Sequence, residues 1–532
     1  MKYGFVIDNR KCIGCHACTV ACKSEHDVAI GVNRTWVKQV EKGTYPNTRR
    51  VFSVMRCNHC TDAPCVEICP TEALHIREDG IVDFDNERCI GCKSCMQACP
   101  YDALYIDPDT NTAAKCNYCA HRIDVGLEPA CVNVCPEHAI ISGDMENPDS
   151  EISQLLSREQ VTVRKAEKDT KPNVYYINGD ADSLNPGNTE KSDRYFWNSQ
   201  SRGVGHFAKY AEKRVEGIDL KSMAMKMSNK EEIKERTPKS IDVLMQKNKR
   251  VYDSPDKGIL WGWEVSAYVL TKAIAAGAFL FLLIGWFLGI GASEEMSYAI
   301  GLISIFFLTA TGVLLIMDLD QPKRFLYVLL RPQWKSWLVK GGYFITFFGL
   351  FITTYLVGRY FDSSMLMDVS MWLGAVLALC TAVYTAFLFA QAKGRDFWQS
   401  PVLAIHMLLH SVMAGGAVIM ILTVFLKGMH YWEVLAEFML LVTISLNLVA
   451  MGFELFMPHP TRDAAAVAKS IVKGTYKNAF WWGVVVIGNL LPLAAILGGQ
   501  GQFYPAAGVL CLVGLWFTEK VWVEAPQRIA LA

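Results

Sequence analysis

The chain has 532 residues, 52% of them hydrophobic, and its basic and acidic residues cancel to zero formal net charge. That balance leaves no electrostatic footprint for nucleic acid, and none is expected as a partner. The averages join two unlike halves: residues 1–257 are polar and hold sixteen of the eighteen cysteines, whereas residues 258–532 are apolar and hold only Cys380 and Cys511.

The opening stretch, MKYGFVIDNRKC, has no long apolar run behind a basic start and no paired arginines. No export signal is therefore expected, and the first half is expected in the reducing cytoplasm. Its cysteines fall into four groups. Cys12, Cys15, Cys18 and Cys22 form a C-x2-C-x2-C-x3-C run, and Cys89, Cys92, Cys95 and Cys99 repeat it ahead of Pro100. The second group (Cys57, Cys60, Cys65, Cys69) and the fourth (Cys116, Cys119, Cys131, Cys135) keep the opening C-x2-C and the closing C-x3-C-P but displace the third cysteine. Three closely spaced thiolates wrap one iron–sulfur cubane, while the fourth, one helical turn on, reaches a neighbour. Four [4Fe-4S] clusters are expected. Zinc ribbons pair two C-x2-C knuckles without needing the four-cysteine run, and a disulfide framework does not suit a chain that stays reduced. Gly14 and Gly91 are expected inside the wraps, where the backbone would pass close to the inorganic core.

At these cysteines the chain resembles the iron–sulfur subunits of the molybdopterin oxidoreductases typified by dimethyl sulfoxide, polysulfide and nitrate reductases, over about residues 1–190. The resemblance implies crossed ligand sets. Cys12, Cys15, Cys18 and Cys135 hold one cluster, and Cys116, Cys119, Cys131 and Cys22 the next. Cys57, Cys60, Cys65 and Cys99 hold a third, and Cys89, Cys92, Cys95 and Cys69 a fourth. It also implies a catalytic partner subunit carrying a molybdopterin.

Short strands are expected at 73–76, 81–84 and 103–106, between Asp-Gly and Asp-Pro turns, in a ferredoxin-like core held by its clusters. Beyond residue 190 a connecting segment, 191–257, turns basic: residues 201–250 hold thirteen Lys or Arg against seven Asp or Glu. A solvated surface is the ordinary reading of such a run. Lys226, Lys230, Lys247 and Arg250 are candidates for lipid or partner contact ahead of a membrane.

Eight apolar stretches follow, near 265–289, 297–317, 341–358, 370–390, 402–426, 432–456, 480–498 and 503–518, each close to the length that crosses a bilayer. The loops on the iron–sulfur side carry thirteen Lys or Arg and the opposite loops only Arg359 and Lys427. The positive-inside rule then puts the cluster domain and both termini on the cytoplasmic side of a prokaryotic inner membrane. The expected architecture is an α+β ferredoxin-like iron–sulfur domain, 1–190, followed after the basic segment by an all-α eight-helix transmembrane bundle, 258–532.

Three pieces of this half, Trp261-Gly-Trp263, Asp318-Leu-Asp-Gln-Pro-Lys-Arg324 and Phe397-Trp-Gln-Ser-Pro401, resemble the NrfD/PsrC-type polysulfide-reductase membrane anchors. That resemblance implies electron exchange with a quinone, menaquinone or ubiquinone, and no haem. Polar residues point the same way. Glu264, Tyr268 and Lys272 are spaced by four and share a helix face that is costly in lipid. Asp318, Tyr384, His406, His410 and Glu454 all fall at the iron–sulfur end of their helices and are expected to gather there. A quinone headgroup needs donors for two carbonyl oxygens and a proton carrier beside them. The anchor resemblance assigns the quinone contacts to Glu264, Tyr268 and Tyr384, where Glu264 and Tyr268 replace the family's usual asparagine and histidine.

His406 and His410, one turn apart, cannot both ligate one haem iron from opposite sides, and His430 and His459 are expected in loops. The function implied is an electron-transfer and anchor subunit of a quinone-linked oxidoreductase, with sulfur-oxyanion metabolism such as sulfite oxidation as one setting. Two alternatives are a quinone-driven proton pump, in which Lys272 and Glu437 begin a path, and a ferredoxin-fed quinone reductase without a pterin partner.

Overall fold

The structure, a computed structural model, describes residues 1–44, 46–190, 248–254, 257–426, 430–499 and 501–532. Lys226, Lys230 and Lys247 lie outside the described residues.

Strands are numbered in chain order. β1 (Tyr3–Asp8) runs parallel to β10 (Val174–Ile177) and antiparallel to β8 (Ile140–Asp144), and β9 (Val161–Thr162) completes the order β8-β1-β10-β9. Phe5, Val6 and Ile7 are buried in succession because both faces of this sheet are covered. Phe5 and Ile7 face the cysteine-lined core, and Val6 packs with Ile141 and Ile177 against Ile152 of the helix Glu151–Arg158. A second sheet has the order β11-β12-β2-β3, from β2 (Thr35–Thr44), β3 (Asn47–Arg56), β11 (Thr189–Glu190) and β12 (Asn248–Tyr252).

Strand β12 falls within the expected connecting segment yet pairs with β2, Lys249 opposite Glu41. This corrects the reading of Arg250 as a lipid contact. Its guanidinium is buried, with Nη1 donating to Asp253 Oδ2 at 2.9 Å and Nη2 to the Pro186 carbonyl at 3.1 Å. The expected strands at 73–76 and 81–84 form the hairpin β4 (Leu74–Ile76) and β5 (Val82–Phe84). The one at 103–106 shortens to β6 (Tyr105–Ile106), paired with β7 (Ala113–Ala114).

Among the described residues, eight helices are long and apolar enough to cross a membrane: Trp263–Phe287, Glu294–Met317, Trp337–Tyr360, Ser364–Gln391, Val402–Leu422, His430–Phe456, Ala479–Leu497 and a last span within Gly501–Arg528. They overlap all eight expected stretches. The first is the hub, with 72% of its apolar window buried against 28% for the second and third. Gly277 lets it meet the fifth helix backbone to backbone, since a Cβ there would overlap the Ser411 carbonyl. His430 opens the sixth helix rather than lying in a loop. The fifth and sixth helices are antiparallel neighbours, so His430 stands at the far end of the bundle from His406.

The cluster domain sits on the end of the bundle that carries the basic loops. Gln333 Nε2 donates to the Val66 carbonyl at 2.9 Å and Ser336 Oγ to that of Ile68 at 2.8 Å. Gln527, near the last residues, accepts from the backbone N–H groups of Leu260 and Trp261 at 2.9 Å each and from Gln97 Nε2 at 2.6 Å. The bonds of Gln333, Ser336 and Gln97 tie the cysteine-bearing segments to the membrane half, and Gln527 also holds the start of the first membrane helix.

Candidate redox centres and membrane cavity

Each cysteine group places thiols on a loop and on the short helix that follows. Cys12 and Cys15 leave β1 on a loop, and Cys18 and Cys22 lie on the helix Ala17–Glu25. Cys95 lies on Ser94–Ala98, Cys65 on Pro64–Glu67 and Cys131 on Ala130–Asn133. The turns at the helix starts are tight: His16 and Lys93 adopt φ of 62° and 60°, and Cys119, which opens the further helix Ala120–Ile123, adopts 52°.

Folding brings the groups together in crossed fashion. One cavity is lined by Cys12, Cys15, Cys18 and Cys135, and another by Cys69, Cys89, Cys92 and Cys95. The thiols whose charge acts on Cys22 are Cys116, Cys131 and Cys119, and those acting on Cys65 are Cys99, Cys57 and Cys60. Backbone N–H groups already point at sulfur, Ala139 at Cys135 Sγ (3.2 Å) and Ala113 at Cys89 Sγ (3.4 Å). Burial pushes the thiols up, Cys18, Cys92 and Cys119 to about 12. Buried thiols of this kind become thiolates when a cation replaces the proton, the exchange that binds iron. The donor sets and their cavities fit iron–sulfur clusters.

Gly14 lines the cavity of the Cys12 set, and Gly14 and Gly91 have φ of +72° and +70°, which glycine takes without strain; a Cβ on them would strike Phe52 and Asp320. The reason at Gly91 is docking. Asp318-Leu-Asp-Gln-Pro-Lys-Arg324 clamps the third cysteine group to the membrane domain: Asp320 and Gln321 N–H donate to the Gly91 and Ile90 carbonyls at 3.4 and 3.2 Å. Arg324 Nη1 donates to the Asn86 and Cys89 carbonyls at 2.7 and 3.0 Å.

Beneath that loop, between the first four helices, lies a cavity of about 210 Å³. Cys92, Trp261, Tyr268, Asp318 and Tyr384 line it together with apolar side chains of the second and third helices. Trp261 Nε1 donates to the Cys92 carbonyl at 3.1 Å. Tyr384 packs flat on Gly341, where a Cβ would overlap its ring. Lys93 Nζ donates to the Asp318 carbonyl at 2.8 Å and stands 3.6 Å from its carboxylate and 3.4 Å from that of Asp320. Asp318, just past the second helix, is pushed up to about 7 by burial, with Lys93 opposing.

Glu264 is half-buried beside this cavity, close enough for its charge to act on Asp318, but does not line it. Lys272 lies behind Tyr384, its Nζ 4.8 Å from the ring centroid and donating to Thr385 Oγ1 at 2.6 Å and the Ala382 carbonyl at 3.2 Å. The Thr385 side chain also lies close to the phenols of Tyr268 and Tyr384.

His406, His410 and Glu454 do not join the cavity. The two histidines of the fifth helix meet Glu454 of the sixth and side chains of the eighth in a second polar group, the two imidazole rings stacked at 5.5 Å. His410 Nδ1 is 2.7 Å from Glu519 Oε1, and its Nε2 is 3.2 Å from Asn447 Oδ1. Asn447 Nδ2 in turn donates to Asn489 Oδ1 at 3.2 Å. His406 Nδ1 approaches Glu454 Oε2 at 3.0 Å without hydrogen-bond alignment, while that oxygen accepts from Trp522 Nε1 at 2.9 Å. Glu519 is the carboxylate whose charge reaches Lys272 and so links the two groups. Thr385, Asn447, Asn489 and Glu519 had not been singled out in the sequence, although polar side chains inside spans are a signal in themselves.

Comparison with known proteins follows the same division. Two models described as "4Fe-4S dicluster domain" match residues 5–70 and 48–145, and "Polysulphide reductase, NrfD" matches residues 254–515. The chain is 44% identical to a tetrathionate reductase subunit of Salmonella typhimurium over 189 residues, 35% of this chain and 76% of that protein. It is 41% identical over 181 residues to a polysulfide reductase component of Wolinella succinogenes, 33% of this chain and 94% of that one. It is 34% identical over 225 residues to the arsenate respiratory reductase iron-sulfur subunit of a Shewanella species, 33% and 96% of the two proteins. With cysteine sets, apolar helices and both halves matched in order, the chain belongs to the 4Fe-4S dicluster subunits of these reductase complexes, fused here to an NrfD-type polysulfide-reductase membrane domain.

Proposed function

We propose that this chain passes electrons through four [4Fe-4S] clusters between a molybdopterin-containing catalytic subunit on the cytoplasmic face and a membrane quinone in the cavity of Tyr268, Asp318 and Tyr384. Residues 1–190 together with β12 would form the cluster domain, the basic stretch between them the connection and 258–532 the anchor. The observation that carries the reading is the position of Cys92, which lines both a cysteine cavity and the membrane cavity, so that a redox centre would abut the quinone pocket.

When bound, the clusters supply one-electron carriers in a row, and the quinone takes up or yields two electrons with two protons. This chain's residues do the rest. Tyr268 and Tyr384 offer hydroxyl donors to carbonyl oxygens, and Asp318 exchanges a proton near neutral pH. The apolar side chains of the second and third helices exclude water, and Glu264 biases Asp318 toward its protonated form. Clamping by Asp320, Gln321 and Arg324 fixes the Cys89–Cys95 loop over the cavity. The named relatives act on tetrathionate, polysulfide and arsenate, and a sulfur oxyanion is a fitting substrate for the complex. Sulfite oxidation would send electrons into the quinone.

Tyr268→Phe and Glu264→Gln should impair quinone turnover while leaving cluster spectra intact; unchanged turnover in both would remove this site. Molybdenum assay of the purified complex separates the pterin-linked reading from a ferredoxin-fed reductase, which would contain none. A second reading, that quinone turnover moves protons across the bundle, is favoured by the buried line Lys272, Glu519, His410, Asn447 and Asn489. Sealed vesicles showing no charge movement during turnover would eliminate it.

A further inference from the structure

Arg56 is the last residue of β3, directly before Cys57, and is 0% exposed. Its Nη1 donates to Cys131 Sγ at 3.3 Å, and its Cζ lies 4.2 Å from the centroid of the Phe5 ring. Nε and Nη2 have no hydrogen-bond partner among the described residues. The anionic groups that act most strongly on its charge are thiols: Cys131, Cys116 and Cys18. A guanidinium stays protonated in proteins, and a buried charge needs a counter-charge. Lys93, by contrast, faces the carboxylates of Asp318 and Asp320, and Lys115 donates to the Val82 and Cys116 carbonyls with Cys57 of another set as the thiol beside it. What faces Arg56 is sulfur of two crossed sets, Cys18 from one and Cys116 and Cys131 from the other.

We propose that Arg56 is the shared counter-ion of two neighbouring clusters, the one held by Cys12, Cys15, Cys18 and Cys135 and the one held by Cys22, Cys116, Cys119 and Cys131, and that it raises the reduction potentials of both. The proposal rests on the four-cluster reading above. A cluster gains one negative charge on reduction, so a fixed buried cation favours its reduced form, and a hydrogen bond to ligand sulfur acts in the same direction. Because one guanidinium serves two sets, its removal moves two potentials together. The other two clusters lie on the membrane side and keep Lys115, Lys93 and Arg324 beside their own ligands.

The test is a redox titration of the full chain followed by electron paramagnetic resonance, for wild type, Arg56→Gln and Arg56→Lys. Iron is assayed first. Far fewer than about sixteen irons per wild-type chain, the number four cubanes require, would overturn the cluster reading itself and is thereby told apart from failure of the Arg56 role. With iron in place, Arg56→Gln should shift two of the four signals to lower potential and leave two in position, and Arg56→Lys should restore most of the shift. Four unmoved potentials, four equal shifts, or a lysine variant no better than glutamine would each overturn the proposal. Should the glutamine variant fail to hold iron, Arg56→Lys decides alone: potentials near wild type support the counter-ion, and two lowered potentials despite the retained charge refute it.

Discussion

Gly312 lies on the second membrane helix at the wall of the 210 Å³ cavity, and a Cβ built there meets nothing within 4 Å. Replacing it with leucine adds four carbons. At roughly the 30 Å³ that one water occupies in the liquid, they take up on the order of 120 Å³, more than half of the cavity. Empty apolar volume costs about 24 cal/mol per Å³, so filling that space is worth at most about 3 kcal/mol. Losing a mid-helix glycine adds about 1 kcal/mol. Gly312→Leu should therefore raise the thermal midpoint of the detergent-solubilised protein instead of lowering it, a trade of function for stability. Quinone turnover should fall at least about tenfold, since a headgroup excluded by 1.4 kcal/mol or more loses that factor in occupancy. Thermal unfolding and quinone-reductase rates, measured on the same preparation with its iron content checked, decide the matter. A stabilised Gly312→Leu protein with full turnover would refute the assignment of this cavity to the quinone.

Four further outcomes are expected. Tyr268→Phe deletes one donor at the cavity wall, and a hydrogen bond to a charged oxygen is worth about 1.5–3 kcal/mol, so turnover should drop about 10- to 150-fold in steady-state kinetics with cluster spectra unchanged. Gly277→Val forces a branched side chain against the Ser411 carbonyl at the hub crossing and should cost more than about 2 kcal/mol, read as a lowered unfolding midpoint or failure to insert. Asp318 is protonated more readily folded than unfolded, so its contribution is present below the ordinary 3.8 and is lost as pH rises to about 7. Asp318→Asn should accordingly gain stability relative to wild type between about pH 4 and 7, and a flat difference across that window would contradict the burial assigned to this carboxyl. Finally, Cys92→Ser should abolish or alter the signal of one cluster and block electron exchange with quinone, while the signals of the Cys12 and Cys22 sets remain.

The redox half was legible where its chemistry is local. Cluster ligation demands closely spaced thiolates, so Cys12 to Cys22 and Cys89 to Cys99 announce themselves in ten or so residues. The sheets that support them did not, because β1 is buried on both faces and shows no alternation, and because β12 returns from beyond residue 247 to pair with β2. The membrane spans were read from length and apolarity, which need no knowledge of packing. The polar sites needed more. Depth along a helix could be estimated from the sequence, but rotation could not, and rotation separates Tyr268, Asp318 and Tyr384 from His406, His410 and Glu454. Glu519 was missed for a simple reason: the last apolar stretch was ended at 518, whereas the helix continues to Glu524 and turns Glu519 inward toward His410. Gly341 and Gly312, which shape the cavity, look like any glycine in a span until a neighbour's ring or an open space is seen beside them.

The most direct test of the central claim is quinone-dependent reoxidation of the clusters in the isolated full chain. The protein is reduced with a low-potential reductant, freed of excess and mixed with a soluble quinone while the cluster signals are followed. Rapid reoxidation in wild type, slowed at least about tenfold in Gly312→Leu and in Tyr268→Phe, is the result expected of a cluster wire that ends at this cavity. Clusters that stay reduced in the wild-type protein, or that reoxidise as fast in both variants as in wild type, would contradict it.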